Sequence, residues 1–149
     1  MTASGGLTLD LTCRLPATPA RVFRALTSRD QLSRWWGPSG FTSPSLDFDP
    51  RVGRSYRITM QPPDGEAFHL SGEFREVDPP LRLAYTFRWE EPDPDDQETV
   101  VTLTLRDLGE ATELVLSQGP FATEGRRALH EQGWSESFER LREVISSGA

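Results

Sequence analysis

Alternating apolar and polar residues fill the middle of the chain in short runs, and this pattern constrains the fold more than any other feature. Between about residues 45 and 117 apolar side chains recur at every second position, as in Leu83, Tyr85 and Phe87, with Arg82 and Arg88 on the opposite face. Such alternation predicts strands that bury one face and expose the other. The runs follow one another too closely for crossover helices, which favours an antiparallel meander of six strands.

Another strand and two short helices are predicted before this run. Apolar residues alternate over residues 7–15, which predicts a first strand. Thr18-Pro19 then predicts a helix start, with Thr18 as the N-cap and Pro19 at the first helical position. A second short helix is expected after Ser28, and it ends at Gly37-Pro38 because proline disfavours helical geometry in the residue before it.

A long helix is predicted after the strands. Its apolar residues share one face at spacings of i, i+4, i+7 and i+11: Trp134, Phe138, Leu141 and Ile145. Gly133 interrupts this helix at a cost of about 1 kcal/mol relative to alanine. We therefore expect either a close approach to the backbone at Gly133 or a bend in the helix.

The composition excludes several classes of function. All sixteen basic residues are arginine, so the chain has neither a Schiff-base lysine nor the lysine of a phosphate-binding loop. The formal net charge of −7, without a basic cluster, argues against a nucleic-acid partner. The single cysteine, Cys13, forms no internal disulfide, and its place in the inward series of the first strand predicts a buried apolar role.

Length and apolar runs bound the organisation of the chain. The 149 residues predict one domain spanning residues 1–149, with residues 1–6 and 147–149 as disordered tails. No apolar run approaches the roughly 20 residues that span a bilayer, and no basic and then hydrophobic leader opens the sequence. We therefore expect a cytoplasmic protein without membrane insertion, and a homodimer is left open.

One strongly acidic segment lies between two predicted strands. Residues 90–98 read EEPDPDDQE, with six acidic residues and two prolines in nine positions. Such a composition predicts a solvated, mobile connection. The segment lacks the glycine and the terminal glutamate of an EF-hand loop, so calcium is not predicted there. His69 and His130 are the only histidines and fall on separate elements, so no metal site is predicted.

Three groups of motifs resemble the SRPBCC superfamily, whose START-like members adopt the helix-grip fold. The first group is TPARVFRALT at residues 18–27 and LSRWWGP at residues 32–38, followed by Phe41 and Thr42. The second is GEFREVDPPLRL at residues 72–83, and the third is Gly133-Trp134 followed by Phe138 and Leu141. Within the superfamily the chain is most similar to the branch of the activator of heat-shock protein 90 ATPase homologue, C-terminal domain, over residues 8–146.

The resemblance implies an α+β helix-grip fold. Its curved antiparallel sheet of about seven strands wraps around a long C-terminal helix, with two short helices after the first strand and a hydrophobic cavity between sheet and helix. The implied function is binding of a small hydrophobic molecule, namely a lipid, a sterol or a polyketide-like compound. The alternatives are a cyclase/aromatase- or hydrolase-type enzyme that uses the same cavity, and a co-chaperone-like protein-interaction module. No cofactor is implied.

The candidate ligand-binding residues share a ring side chain on a predicted inward face or in the loop over it. They are Trp35, Trp36, Phe41, Tyr56, Phe74, Tyr85, Phe87, His130, Trp134 and Phe138. Aromatic side chains on inward faces are also typical of an ordinary core, and small-molecule sites are lined by the same residue types. Tyr85 is the best polar contact in this set, because a buried hydroxyl needs a hydrogen-bond partner.

Candidate catalytic groups are few. His130 lies one helical turn before Trp134 and fits either a general acid/base at the cavity mouth or a polar residue at the helix border. No nucleophile motif occurs, so no catalytic residue is assigned and a non-enzymatic role is favoured. Of the tryptophans, one of Trp35 and Trp36 is expected to anchor the second helix and the other to cover the cavity entrance. Trp89, beside the acidic segment, is expected to respond least to a ligand.

Overall fold

A computed structural model describes residues 7–147, and the order of its elements is the predicted one. The bounds are β1 (Leu7–Leu15), α1 (Pro19–Thr27), α2 (Arg29–Trp35), β2 (Thr42–Asp47), β3 (Ser55–Gln61), β4 (Phe68–Asp78), β5 (Arg82–Trp89), β6 (Thr99–Asp107), β7 (Thr112–Phe121) and α3 (Glu124–Ser146). Of the predicted tails, residues 1–6 and 148–149 lie outside the described residues. Ser147 is the C-cap of α3 rather than part of a tail, and its backbone N–H donates to Glu143 O.

All strands join in one antiparallel sheet of the order β1-β7-β6-β5-β4-β3-β2. The predicted six-strand meander runs from β2 to β7, and β1 returns to pair with β7. The sheet curves around α3, which packs on β1 and β7 and against α1 and α2. The α+β helix-grip fold is therefore confirmed. None of the helices in residues 7–147 has the length and apolarity needed to cross a membrane.

The predicted register of β5 is confirmed. Leu83, Tyr85 and Phe87 are buried together, whereas Arg88 is exposed and the Arg82 side chain is 43% exposed. A one-residue slip would have inverted this set, so the alternating pattern specified the inward face correctly.

Threonine side chains cap the N-termini of α1 and α3, and the cap of α1 is the predicted one. The Thr18 hydroxyl accepts a hydrogen bond from the Arg21 backbone N–H at 3.4 Å, and Pro19 occupies the first turn. Thr123 caps α3 in the same way, accepting from the Arg126 N–H at 3.1 Å. The four apolar stripe residues of α3 are all buried against the sheet side of the helix: Trp134, Phe138, Leu141 and Ile145.

Cys13 is less buried than the alternation of β1 predicts. Its side chain lies at the edge of the core, where its Sγ is 3.3 Å from Arg142 Nη2 on α3. Partial burial raises the pKa of the Cys13 thiol, and the neighbouring guanidinium offsets only part of this effect. The reason for the difference is that β1 is an edge strand, so α3 covers its inner face incompletely.

Candidate functional site

A pocket of about 440 Å³ opens between the first half of α3, the segment after α2 and the ends of β3, β4 and β5. Six aromatic side chains form its wall: Trp36, Phe41, Phe68, Phe87, Trp89 and Trp134. Five ionisable side chains form its rim: Glu91, Asp93, Asp96, Arg126 and His130. The remaining lining residues are Gly37, Pro38, Met60, Leu129, Gly133 and Ser137. We call this site the aromatic pocket.

Edge-to-face contacts order the aromatic wall. The Trp36 and Trp134 rings are 5.3 Å apart at an interplanar angle of 81°. On the other side Trp89 packs against Phe87 at 5.1 Å and against Phe68 at 5.2 Å. Such geometry places the positive edge of one ring on the negative face of its neighbour, which stabilises each pair by about 1 kcal/mol. The wall therefore consists of rings held by one another.

A buried hydrogen-bond chain fixes Trp134. Its indole N–H donates to Gln118 Oε1 at 2.7 Å, and Gln118 Nε2 donates to the Thr99 hydroxyl at 2.8 Å. Gln118 is 1% exposed, so both ends of its amide need protein partners. The chain ties α3 to β7 and β6 and sets the indole plane at the pocket.

Arg140 holds the backbone at Trp36, another tryptophan of the wall. Its Nη1 donates to the carbonyls of Trp36 and Gly37 at 3.0 Å and of Pro38 at 3.2 Å. Burial lowers the pKa of Arg140. Gly37 has a φ of +96°, a backbone conformation that favours glycine and turns the chain sharply after α2. No sequence signal pointed to Arg140, because its partners are backbone carbonyls about 100 residues earlier.

The acidic segment is mostly exposed to solvent, as predicted, and it is also docked on α3 through contacts that its composition did not indicate. Arg126 Nη2 contacts Asp96 Oδ1 at 2.5 Å and Arg126 Nη1 contacts Asp93 Oδ2 at 3.3 Å. Gln97 Nε2 also donates to Pro120 O at 2.7 Å. The carboxylates of the segment repel one another when no positive charge lies near them. The Arg126 guanidinium, about 30 residues later in the chain, provides that positive charge. The docked segment forms one side of the aromatic pocket.

A second charge network holds the start of this segment. The Arg57 guanidinium donates to both carboxylate oxygens of Glu90 at 2.8 and 2.9 Å, and Ser71 Oγ donates to Glu90 as well. Arg57 and then Ser71 hold the pKa of Glu90 down at about 2. Glu91 accepts from the His69 backbone N–H at 2.9 Å, and its other oxygen lies 2.8 Å from His69 Nδ1. The His69 imidazole therefore has a carboxylate partner in the acidic segment.

One grouping with metal-ligand chemistry occurs within residues 7–147, formed by His69, Glu90 and Glu91. Their ligand atoms all lie within 4.8 Å of one another. Each carboxylate already accepts hydrogen bonds from Arg57, Ser71 or His69, so the protein's own donors satisfy the cluster. The arrangement is explained as a salt-bridge network.

Both ring nitrogens of His130 have protein partners. Nδ1 lies 2.8 Å from Arg126 O, so it carries the proton and donates, and Nε2 accepts from the Trp89 indole N–H at 3.3 Å. Burial lowers the pKa of His130, because it disfavours the charged imidazolium. Protonation of Nε2 would also place two N–H donors opposite each other, that of His130 and that of the Trp89 indole, and this too disfavours the imidazolium. The neutral imidazole is thus a structural link between α3 and β5, with no nitrogen free for a substrate.

This geometry leads to a pH-dependence prediction. The folded-state pKa of His130 lies below its usual value of 6.5, so its contribution to stability is complete above about pH 6.5 and is lost as the pH falls further. We expect the free energy of unfolding, measured in urea, to fall between pH 7 and pH 5. Glu90, Glu91 and Glu124 have lowered pKa values from an ordinary 4.5, so their contributions are lost at lower pH.

A His130→Gln variant serves as the test, since it cannot take up a proton. Its unfolding free energy is expected to change less between pH 7 and pH 5 than that of the original protein. Equal slopes in the two proteins would show that His130 is protonated equally easily in the folded and unfolded states.

The structure brings half of the ten predicted site residues to the aromatic pocket. These are Trp36, Phe41, Phe87, His130 and Trp134. Their role in ligand binding stays a prediction. Trp36 contributes a wall of the pocket rather than a cover over its entrance, because its ring packs edge-on against Trp134 and is only 4% exposed.

The other five predicted residues do not line the aromatic pocket. They are Trp35, Tyr56, Phe74, Tyr85 and Phe138, all at most 4% exposed and all in the hydrophobic core. Trp35 anchors α2 by donating its indole N–H to Ala25 O at 2.8 Å. The three β-strand residues pack with Phe48 at ring distances of 5.0 to 6.1 Å and fill that part of the concave face. Burial raises the pKa of the Tyr85 hydroxyl well above its usual range.

Several pocket residues escaped the sequence prediction. Phe68, Trp89 and Met60 belong to the inward series of their strands, but they lie at strand ends where the pocket opens. Trp89 lines the pocket and donates its indole N–H to His130, a position that the expectation of a weak response to a ligand did not foresee; the response itself stays a prediction. No sequence pattern predicted that the acidic residues of the rim and Arg126 would line a pocket. They come together only because the acidic segment docks on α3.

Gly133 also lines the pocket, and no atom crowds it. A Cβ built there would lie 3.7 Å from Pro38 Cγ, an ordinary van der Waals distance. The expected close approach to the backbone is therefore not found. The missing side chain instead leaves space in the pocket between α3 and Pro38.

Comparisons with known proteins identify relatives of the whole fold. The family model of the activator of Hsp90 ATPase homolog 1-like proteins matches residues 16–146. No curated protein matches the chain.

Solved structures with this fold come from several bacteria. A protein from Chromobacterium violaceum is 27% identical with a TM-score of 0.85, over 93% of this chain and 96% of that one. The AHSA1 protein from Silicibacter pomeroyi is 26% identical with a TM-score of 0.85, over 96% of this chain and all of the other. A protein from Nitrosomonas europaea is 26% identical with a TM-score of 0.82, over 98% of both chains.

Proposed function

The chain belongs to the family of activator of Hsp90 ATPase homolog 1-like proteins, and from this premise we propose that it binds a small hydrophobic molecule in the aromatic pocket. The observation that carries the proposal is the pocket itself, with about 440 Å³ of space and six aromatic side chains in its wall. Small-molecule sites typically have 300 to 1,000 Å³ and a mostly apolar lining with few polar groups. The pocket has this size and character.

The polar groups at the pocket favour binding over catalysis. His130 uses both ring nitrogens in contacts with Arg126 and Trp89, so a general base would have to break one of them. The Ser137 hydroxyl donates to Gly133 O at 2.9 Å within its own helix. Nucleophilic catalysis needs a hydroxyl that is hydrogen-bonded to a base, and these two residues do not form that pair in the structure.

The proposal predicts that filling the pocket abolishes binding. In a Gly133→Phe variant the new ring would occupy the space beside Pro38, so the dissociation constant of a neutral aromatic probe should rise at least about tenfold, or about 1.4 kcal/mol. The measurement is isothermal titration calorimetry with 1-naphthalenemethanol. Binding to the original protein should have a negative heat-capacity change, because apolar surface leaves water.

The matched control is Gly133→Ala. Its Cβ fits at 3.7 Å from Pro38 Cγ, so the probe should bind as it does to the original protein, while the helix gains up to about 1 kcal/mol of stability. Circular dichroism shows whether each variant is folded. Unchanged affinity in a folded Gly133→Phe protein would place the probe elsewhere and contradict the proposal. If no neutral aromatic or aliphatic probe bound, a protein-interaction role would take its place.

A further inference from the structure

The rim of the aromatic pocket carries an unbalanced charge. Three carboxylates, Glu91, Asp93 and Asp96, line the pocket together with a single guanidinium, that of Arg126. Arg126 contacts Asp96 and Asp93 through its two terminal nitrogens, so its positive charge is already matched. The imidazole of His130 is neutral when it donates to Arg126 O and accepts from Trp89. Negative charge therefore remains at the pocket mouth.

The carboxylates that carry this excess are accessible. Asp96 is 8% exposed and is occupied by Arg126, whereas the Asp93 side chain is 69% exposed and that of Glu91 53% exposed. Glu91 accepts from the His69 backbone N–H and Asp93 contacts Arg126, but more than half of each side chain is exposed, so a cation can approach both carboxylates from the solvent side. A positively charged group at the mouth would gain Coulomb energy from both.

The aromatic wall favours the same sign of charge. Ring faces carry negative quadrupole potential, and a cation within about 6 Å of an indole is attracted by about 0.5 to 2 kcal/mol. Trp36, Trp89 and Trp134 all line the pocket. An anion would meet the excess carboxylates, and it would approach a protein whose formal net charge is −7.

On the basis of the proposed function, we infer that the aromatic pocket selects ligands by charge and takes a cationic apolar molecule, an organic amine with an aromatic or aliphatic body. The body occupies the aromatic wall, and the ammonium group lies at the rim near Asp93 and Glu91. A neutral compound of the same shape binds more weakly, and a carboxylate binds most weakly of the three.

Three probes with one ring system separate charge from shape. These are 1-naphthylmethylamine, which is protonated at neutral pH, 1-naphthalenemethanol and 1-naphthoate. Calorimetry at low ionic strength should give the amine at least about fivefold tighter binding than the alcohol, and the naphthoate weaker binding than both. Raising the salt concentration should reduce both the amine's advantage and the naphthoate's disadvantage relative to the alcohol, because exposed charges are screened within about 10 Å at 0.1 M.

Two charge-removing substitutions test the assignment of the rim. In a Glu91→Gln/Asp93→Asn variant the amine should lose about three- to tenfold in affinity, while the alcohol should bind unchanged. The matched control is Asp107→Asn/Glu110→Gln, at the exposed turn between β6 and β7, which also removes two negative charges, away from the residues that line the pocket. It should leave the affinities for all three probes unchanged.

The outcomes separate this inference from the proposed function. Binding of the alcohol with equal or tighter binding of the naphthoate than of the amine would overturn the charge selection and leave the proposed function standing. An amine advantage that Asp107→Asn/Glu110→Gln reduces as much as Glu91→Gln/Asp93→Asn would overturn the assignment of the rim, because net charge alone would then explain it. Failure of all three probes to bind would contradict the proposed function itself.

Discussion

Replacing Arg126 by leucine is expected to lower the free energy of unfolding by about 3 kcal/mol, because the change removes the partner of a buried carboxylate. The Asp96 side chain is 8% exposed and contacts Arg126 at 2.5 Å, so without the guanidinium its charge has no counterion and keeps only the hydrogen bond from the Asp93 backbone N–H at 2.8 Å. The measurement is urea denaturation at pH 7. In addition, amides of residues 90–98 should exchange their hydrogens faster, since the acidic segment loses its attachment to α3.

Arg127→Leu is the matched control on the same helix. Arg127 contacts Glu124 at 2.8 Å and Glu131 at 2.6 Å, but those carboxylates are 64% and 43% exposed and are solvated without it. Surface pairs of this kind contribute less than about 1 kcal/mol. Equal losses in the two variants would show that Asp96 reaches solvent easily and that the segment is not held by this ion pair.

Substituting Gly72 by alanine is expected to destabilise the protein by at least about 3 kcal/mol. A Cβ on Gly72 would lie 1.9 Å from Thr86 O and 2.5 Å from the Tyr56 ring, so the backbones of β4 and β5 would have to separate. The separation would also weaken the 2.6 Å hydrogen bond that the Tyr56 hydroxyl donates to Thr86 O. Thermal or urea unfolding measures the loss.

Gly133→Ala provides the comparison for this prediction as well, because its Cβ meets nothing closer than 3.7 Å. It should be neutral or stabilising by up to about 1 kcal/mol, as expected for alanine in a helix interior. A Gly72→Ala protein as stable as Gly133→Ala would mean that β4 and β5 separate there at little cost.

The fold followed from local patterns because each of its elements has a strong periodic signal. The alternation of Leu83, Tyr85 and Phe87 set the inward face of β5, and the Thr18-Pro19 pair marked the start of α1. Each of these signals depends only on residues that are close together in the chain, so it can be read from a single sequence without knowledge of the fold.

The pocket was only partly predictable, because periodicity tells which side chains point inward and not where the inward space is left unfilled. Tyr85 and Phe87 lie on the same face of β5, yet Tyr85 is enclosed by other rings whereas Phe87 borders the pocket. That difference depends on how far α3 and the segment after α2 cover the sheet, which no local pattern records.

The ion pairs of the acidic segment with distant arginines were also not predictable from its composition. The acidic segment 90–98 has the composition of a disordered linker, and it is ordered by Arg126 and Arg57, which lie about 30 residues away on either side. Its order therefore comes from contacts between distant parts of the chain. The same contacts turn acidic residues into the rim of the pocket.

The central claim is that a small apolar molecule occupies the aromatic pocket, and intermolecular nuclear Overhauser effects test it most directly. With 1-naphthalenemethanol bound, we expect effects between the naphthyl protons and the indole protons of Trp36, Trp89 and Trp134, which all line the pocket. Effects confined to other parts of the protein, such as the turn at Leu108 and Ala111, with none to these three indoles, would contradict the claim.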